Sequence, residues 1–410
     1  MTFSVGNIRS QFPALTRTYN GKQAIYFDGP GGSQVVQAVI DQMVAYMEKG
    51  GANLHGQFPS SIETESDIAN ARQAIADLVG AKPEEVAFGA NSTTLAFAIS
   101  RSVSRKWNEQ DNIVLTEIDH RANVDTWLTA AEDKGTEIRF IPVNTDSYTL
   151  ELDKIDELIT SSTKLVAVTL ASNAVGTITD VERISKRARE VGALFIVDAV
   201  HAVPHFLVDR DKLGANILLC SSYKFFGPHV GMAIIKQETF DELSSYKLKP
   251  APGNFPDKLE TGTQNHEALA AIPAAVDFIA SVGTGNNRRE QLINAYHMIE
   301  EYENGLAIIM RNELSAISSV TLYQAGQGVP KTPTIAFTID GISPSEACKW
   351  FAENYSIFVA DGNFYASTLA DKLGINETGG WIRAGLAPYN TEEEVMVFIK
   401  AVKELVELHK

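Results

Sequence analysis

Between Tyr26 and Ile235, short apolar runs alternate with longer stretches in which apolar residues recur every three or four positions. The short runs are Glu85–Ala90, Asn112–Glu117, Glu137–Val143, Lys164–Leu170, Leu194–Val200, Asn216–Ser221 and Gly231–Lys236, and each has the length of a buried strand. The stretches between them, such as Ile68, Ala71, Ile75 and Leu78, or Val181, Ile184, Ala188 and Val191, repeat as one face of an amphipathic helix does. Strand and helix in this rhythm predict an α/β fold, a mainly parallel sheet sandwiched by helices. The link from Ser221 to Gly231 leaves no room for a crossover helix, so the last strand is expected to run antiparallel to its predecessor.

The pattern changes at Lys247–Thr263, where Pro250, Pro252, Gly253, Pro256 and Gly262 mark a loop. A long helical pattern follows through Leu292, Tyr296, Ile299, Leu306 and Ile309. Strand-like Thr334–Ile339 and helical Ser343–Glu353 and Glu392–Leu408 complete a smaller α+β domain. The expected division gives residues 21–270 to the large domain and residues 1–20 and 271–410 to the small one, which suits a chain of 410 residues. No internal repeat or low-complexity tract interrupts this plan.

Composition narrows the choice of partners. Apolar residues make up 44% and charged residues 21%, the balance of a globular protein. With 35 Lys and Arg against 51 Asp and Glu, the net charge of −16 repels nucleic acid and anionic membrane, although a local cluster of donors can still hold a small anion. Two cysteines, Cys220 and Cys348, form no Cys-x-x-Cys pair. A disulfide framework and a thiolate metal site are therefore not expected, and a cytoplasmic location is. No apolar stretch approaches the roughly 18 residues of a membrane span, and the N-terminus is not signal-like.

In open α/β sheets, ligands bind beyond the carboxyl ends of the strands, so the polar residues that end each run are the candidates. Leu194–Asp198 ends in a carboxylate, with His201 just beyond. The run from Ile217 ends in Ser221, Ser222, Tyr223 and Lys224; that from Ile113 ends in His120; that from Leu165 ends in Asn173. The run from Val86 ends in Ser92, Thr93 and Thr94, just before the helix-like Leu95–Ile99. Hydroxyls and free amides at a helix start suit a phosphate. A lysine in a partly dry cleft has its pKa lowered, as Schiff-base chemistry requires. A buried carboxylate keeps a pyridine nitrogen protonated and the ring a strong electron sink. Singly, each residue has an ordinary reading, as a surface lysine, a structural histidine or a helix cap; together at consecutive strand ends they meet the demands of pyridoxal phosphate. Other motifs fail. Gly29-Pro-Gly31-Gly32 lacks the third glycine of a dinucleotide site, and neither a Gly-x-Ser-x-Gly elbow nor a phosphate-binding loop ending Gly-Lys-Ser/Thr occurs.

The chain resembles the class V aminotransferases of the type I pyridoxal-phosphate fold, most closely the cysteine desulfurase-like group. The likeness runs from Tyr26-Phe-Asp-Gly-Pro-Gly-Gly to Arg383-Ala-Gly-Leu-Ala-Pro-Tyr-Asn-Thr-Glu-Glu-Glu. It is carried most specifically by Ser172-Asn-Ala-Val-Gly-Thr, by Gly192–His205 and by Ser221-Ser-Tyr-Lys-Phe-Phe-Gly-Pro-His-Val-Gly231. The resemblance implies that Lys224 forms the Schiff base and shuttles protons, that His120 stacks on the cofactor ring and that Asp198 pairs with its nitrogen. Asn173 would lie beside the phenolic oxygen, while Ser92, Thr93 and Ser221 would hold the phosphate. Thr263 would reach the phosphate of the other subunit, which implies a homodimer with shared active sites. Arg383 would clamp the substrate carboxylate.

This sequence departs from the family pattern at three places. His201 replaces a usual glutamine and Tyr223 a usual histidine, and both remain able to hydrogen-bond the cofactor. Where desulfurases carry a nucleophilic cysteine, this chain reads Val359-Ala-Asp-Gly-Asn-Phe-Tyr-Ala366, with Tyr365 at or near the cysteine's place. The expected activity is carbon–sulfur lysis of cysteine- or cystine-type substrates without an enzyme persulfide. Transamination or epimerisation of an α-amino acid is the alternative, and a non-catalytic cofactor-binding protein the least favoured. Asn53, His55 and the Gly29–Ser33 loop are expected on the substrate side.

Overall fold

The computed structural model describes residues 3–410. Seven strands form the large sheet: β1 (Val86–Gly89), β2 (Asn112–Thr116), β3 (Glu137–Ile141), β4 (Thr163–Thr169), β5 (Leu194–Asp198), β6 (Ile217–Ser221) and β7 (Gly231–Ile235). Their order is β1-β7-β6-β5-β4-β2-β3. Only β7 runs against the rest, pairing antiparallel with both β6 and β1. The short Ser221–Gly231 link imposes this direction, as expected. The expected strand Glu137–Val143 ends early at Ile141 and resumes as the separate pair Val143–Asn144. Pro142 lies at the break, where it has no amide to give a ladder.

Alternate side chains of each strand face opposite cores. Val114, Val166, Val197 and Leu218 enter one, and Ile113, Leu165, Ile196 and Ile217 the other. Burial on both faces is why the strands read as continuous apolar runs. Helices α1 (Gln37–Glu48) and α2 (Pro59–Val79) share the first core with α6 (His266–Val282). The second core takes α3 (Ser92–Val103) and α4 (Asp125–Glu132), and α5 (Val181–Val191) covers the first face with Ile184 and Ala188. The edge strand β1 is tied down by Glu260, whose carboxylate accepts 2.8 Å hydrogen bonds from both terminal nitrogens of Arg72 and from the Phe88 amide. This contact satisfies an edge amide and anchors the end of the Lys247–Thr263 loop.

A second sheet, ordered β8-β9-β11-β10, consists of β8 (Val320–Tyr323), β9 (Thr334–Ile339), β10 (Ala360–Gly362) and β11 (Trp381–Gly385). Against it pack the long α7 (Arg288–Ser315), α8 (Pro344–Tyr355) and α9 (Glu392–Leu408). Thr391 and Glu394 form a capping box that starts α9, whose Phe398, Val402 and Leu405 are fully buried.

Packing divides the chain differently from the expected boundary at 270/271. Ile8, Phe12 and Leu15, all of α6 and the first half of α7 through Ile299 belong to the core of the large sheet. The smaller core takes Ile25 and Phe27 and resumes at Leu306. The long α7 therefore bridges both bodies. No helix among the described residues is long and apolar enough to cross a membrane.

Candidate active site

The site is built at the rim where β5, β6, β4 and β2 end. Asp198 closes β5, and its Oδ1 accepts a 2.9 Å hydrogen bond from the Val200 amide. After β6 a single turn, Ser222–Lys224, swings the lysine back over the rim. Its amine donates to the carbonyls of Pro30 and of Gly31, the latter at 3.1 Å. Glycine at position 31 leaves room for the Asp28 carboxylate, which a Cβ would meet at 2.5 Å and push aside.

Beyond β2, the buried Asp119 carboxylate accepts from the Thr116 hydroxyl and, at 2.7 Å, from the Asn123 amide. This fixes the turn that presents His120. The His120 Nδ1 accepts from the Ala122 amide at 3.0 Å, which leaves Nε2 as the protonated nitrogen of a neutral ring. Beyond β4, the Asn173 carbonyl accepts from Arg383 Nη1 at 2.9 Å, while its Nδ2 donates to the Phe364 carbonyl at 2.8 Å.

Helix α3 starts at the same rim. Asn91 caps it, with Oδ1 accepting from the Thr94 amide at 2.8 Å, and the first amides of the helix lie beside the half-buried Ser92 and Thr93. The helix end sits close against β7. A Cβ at Gly231 would come within 2.1 Å of the Asn91 backbone, so only glycine permits this approach. Ser221 pairs with Gly231 in the ladder and is thereby placed next to the helix start.

Ser92, Thr93, His120, Asp198, Lys224 and Arg383 line one cavity of about 300 Å³, which Asn173, His201 and Tyr223 also face. Burial and then the Arg383 charge pull the Lys224 amine down to about 7. Burial, with Lys224 and Arg383, lowers His120 to about 4, so the ring is neutral. Burial lifts Asp198 to about 6 against the opposing pull of the Val200 amide and Lys224. His201 is held well below its ordinary value by burial, and its Nε2 lies 3.0 Å from Thr334 Oγ1 and 3.2 Å from Thr332 Oγ1.

Four buried atoms at or beside this cavity have no protein partner: Asn173 Oδ1, His201 Nδ1, Ser221 Oγ and Arg383 Nε. Leaving a buried polar atom unpaired costs about 1–3 kcal/mol, so four together mark a place for a polar ligand. The donor set fits pyridoxal phosphate. The α3 amides and hydroxyls suit its phosphate, Asp198 its ring nitrogen and Lys224 its aldehyde.

Two residues expected on the substrate side, Asn53 and His55, lie away from this cavity, as does Thr263, which is expected to reach the phosphate of the other subunit. Asn53, His55 and Thr263 line a separate groove with Arg72, Glu260 and Gln264. Asn53 and His55 thus do not face the cavity of their own chain, because the turn before α2 carries them along the outer side of the Lys247–Thr263 loop. Of the Gly29–Ser33 loop, Pro30 and Gly31 do line the cavity. Two contributors went unrecognised in the sequence. Asp28, half-buried, lies 3.5 Å from Arg383 Nη2, and Phe364 packs its ring against the same guanidinium. Asp28 sits in the Tyr26–Gly32 motif, the one available signal; Phe364 has none.

The family model for class-V aminotransferases matches residues 25–398. A cysteine desulfurase of Cronobacter sakazakii is 30% identical, with 100% of this chain and 99% of that protein aligned. The aminotransferase-like protein FGM3 of Gibberella zeae is also 30% identical, over 98% of each chain. Among solved structures, the apo cysteine desulfurase of Thermococcus onnurineus NA1 superposes with a TM-score of 0.85 at 28% identity, covering 98% of both chains.

Proposed function

The chain belongs to the class-V aminotransferases, and we propose that this member cleaves the carbon–sulfur bond of a cysteine- or cystine-type amino acid without passing sulfur through an enzyme cysteine. The family's enzymes depend on pyridoxal phosphate, and the fold is the type I fold of that class. The observation that carries the reading is the pairing of Lys224 and Arg383 in one cavity, an amine whose neutral form is well populated near pH 7 beside a buried guanidinium whose Nε has no protein partner.

Pyridoxal phosphate, when bound, supplies an aldehyde for amines and a ring that draws electrons from the substrate's α-carbon. The protein's own groups do the rest. Arg383 takes the substrate carboxylate and so fixes which bonds of the α-carbon point toward Lys224. The neutral Lys224 amine would take the α-proton, and the ammonium so formed would deliver a proton to the departing sulfur. Asp198 would hold the ring nitrogen and keep its proton, and His120, a neutral ring, would pack against the group without adding charge. Ser92, Thr93 and Ser221 would hold the phosphate. Asn173 Oδ1 and His201 Nδ1, both unpartnered, with Tyr223 at the wall, would offer hydrogen bonds to a polar ligand of the cavity.

The sulfur argument rests on the two cysteines. Cys220 is fully buried in β6 and Cys348 is buried in the small core; neither lines the cavity, and burial raises both thiols. At the mouth stands Tyr365, which is 69% exposed. With no thiol in reach, sulfur leaves as sulfide, and cysteine plus water gives pyruvate, ammonia and hydrogen sulfide. Thr263, Asn53 and His55 serve the cavity of a second copy in a homodimer, a reading supported by their lining a groove separate from their own chain's cavity. Two unpaired cysteines accord with a cytoplasmic enzyme.

The test is incubation of the holoenzyme with cysteine, cystine and a panel of other amino acids. Cysteine is expected to give equal yields of sulfide and pyruvate, and cystine equal yields of thiocysteine and pyruvate, the thiocysteine being read as sulfide after reduction with an added thiol. Conversion of the cofactor to its pyridoxamine form would replace this reading with transamination, and loss of optical activity without product with epimerisation.

A further inference from the structure

We propose that Phe364 is the positioning residue of Arg383, and that its ring sets the plane in which the guanidinium receives a substrate carboxylate. The proposal rests on the reading that Arg383 binds that carboxylate. The guanidinium carbon lies 3.7 Å from the centroid of the Phe364 ring, a face contact at a desolvated site. Otherwise the protein holds Arg383 loosely. Nη1 donates to the Asn173 carbonyl at 2.9 Å, Nη2 reaches Asp28 only at 3.5 Å, and the buried Nε has no partner. Of these contacts the one to Asp28 is long, so the Phe364 ring supplies the close restraint on the guanidinium plane. A ring stacked on its face holds that plane while Arg383 lines the cavity.

The backbone of Phe364 shows that the ring is held there against local preference. Phe364 and Tyr365 have φ of +53° and +59°, the left-handed region that aromatic L-residues avoid. Such strain persists only where the surroundings over-determine it. Here the Asn173 Nδ2 donates to the Phe364 carbonyl at 2.8 Å, the Tyr365 amide donates to Asn363 Oδ1 at 3.0 Å, and the Arg121 amide donates to the Tyr365 carbonyl at 2.8 Å. Asn173 therefore grips both members at once, the arginine by its carbonyl and the phenylalanine by its side chain. Arginine, ring and asparagine make a closed triangle between the two bodies of the molecule.

The test needs no knowledge of the substrate. Aminooxyacetate and O-methylhydroxylamine share one nucleophile and differ in the carboxylate; both discharge the visible band of the holoenzyme. Their rate ratio measures the carboxylate clamp alone. The wild type is expected to favour aminooxyacetate, Arg383→Lys to lose that preference, and Phe364→Ala to reduce it about tenfold. Phe364→Tyr should restore it, and Phe364→Ala should add nothing to Arg383→Lys. A Phe364→Ala or Phe364→Leu holoenzyme that keeps the wild-type ratio, or slows both reagents equally, overturns the proposal while Arg383→Lys still loses the preference. An Arg383→Lys protein with the wild-type ratio overturns instead the reading of Arg383, and the proposal with it.

Discussion

The Lys224 amine and the Asp198 carboxylate stand beyond adjoining parallel strands, near enough that each favours the other's charged form. Burial and Arg383 outweigh that attraction and bring the amine to about 7. Only the neutral amine attacks an aldehyde. Capture of pyridoxal phosphate by the apo protein should therefore accelerate as pH rises through about 7 and level off above it. In Asp198→Asn the ammonium loses a stabilising charge, so the midpoint moves to lower pH. Stopped-flow absorbance across pH 5–10 checks both, as approximate limits of the titration. A midpoint near the ordinary lysine value of 10.5 would mean an amine in open water.

Ser221 offers a cleaner test of the phosphate seat. Its Oγ is buried and unpartnered, so Ser221→Ala removes an unsatisfied group and leaves the apo protein unchanged or about 1 kcal/mol more stable. Cofactor affinity should fall about tenfold, the worth of one hydrogen bond to a charged group. Denaturant titration of the apo form and fluorescence titration with pyridoxal phosphate give the two numbers.

Gly231→Ala should act on both at once. The new Cβ would meet backbone atoms of Asn91 and Ser92 at 2.1 and 2.4 Å, and backbone cannot step aside as a side-chain end can. A loss of about 1–3 kcal/mol is expected from such overpacking. Helix α3 must also retreat from β7, so the holoenzyme should release its cofactor on dialysis.

Cys348→Ser should separate structure from sulfur chemistry. The thiol lies in the small core with Ala347 and Phe351, so a buried hydroxyl there costs about 1–2 kcal/mol. Sulfide release per minute should match the wild type at a temperature well below unfolding. Complete loss of turnover in a folded variant would show that sulfur does travel through this residue.

Much of this architecture was legible because the large sheet is covered on both sides. Val166 and Leu165 face opposite cores yet are equally buried, so the strand announces itself as an unbroken apolar run. Helix α6 escaped notice for a related reason: its apolar residues surround it, and an internal Pro273 argues against a helix. Strand β11 carries Arg383 at its centre, where a charge speaks against a buried strand. Strand ends exposed Asp198, His120 and Lys224 because topology gathers them by rule. Phe364 obeys no such rule. Its part depends on a left-handed backbone and on an arginine from another strand, and neither leaves a local trace. That Asn53 and His55 line a groove apart from their own chain's cavity was not legible, because a turn, with no periodicity to read, decides which way they face.

The order β1-β7-β6 has a temporal side as well. The strand translated last among the seven fills the slot between the first and the sixth. Until Gly231–Ile235 leaves the ribosome, the start of α3 has nothing to lean on and the turn bearing Lys224 has no neighbour on that flank. Vitamin uptake by this enzyme must then await a nearly finished large body, so a nascent chain halted before that point can carry the reactive amine and still hold no coenzyme.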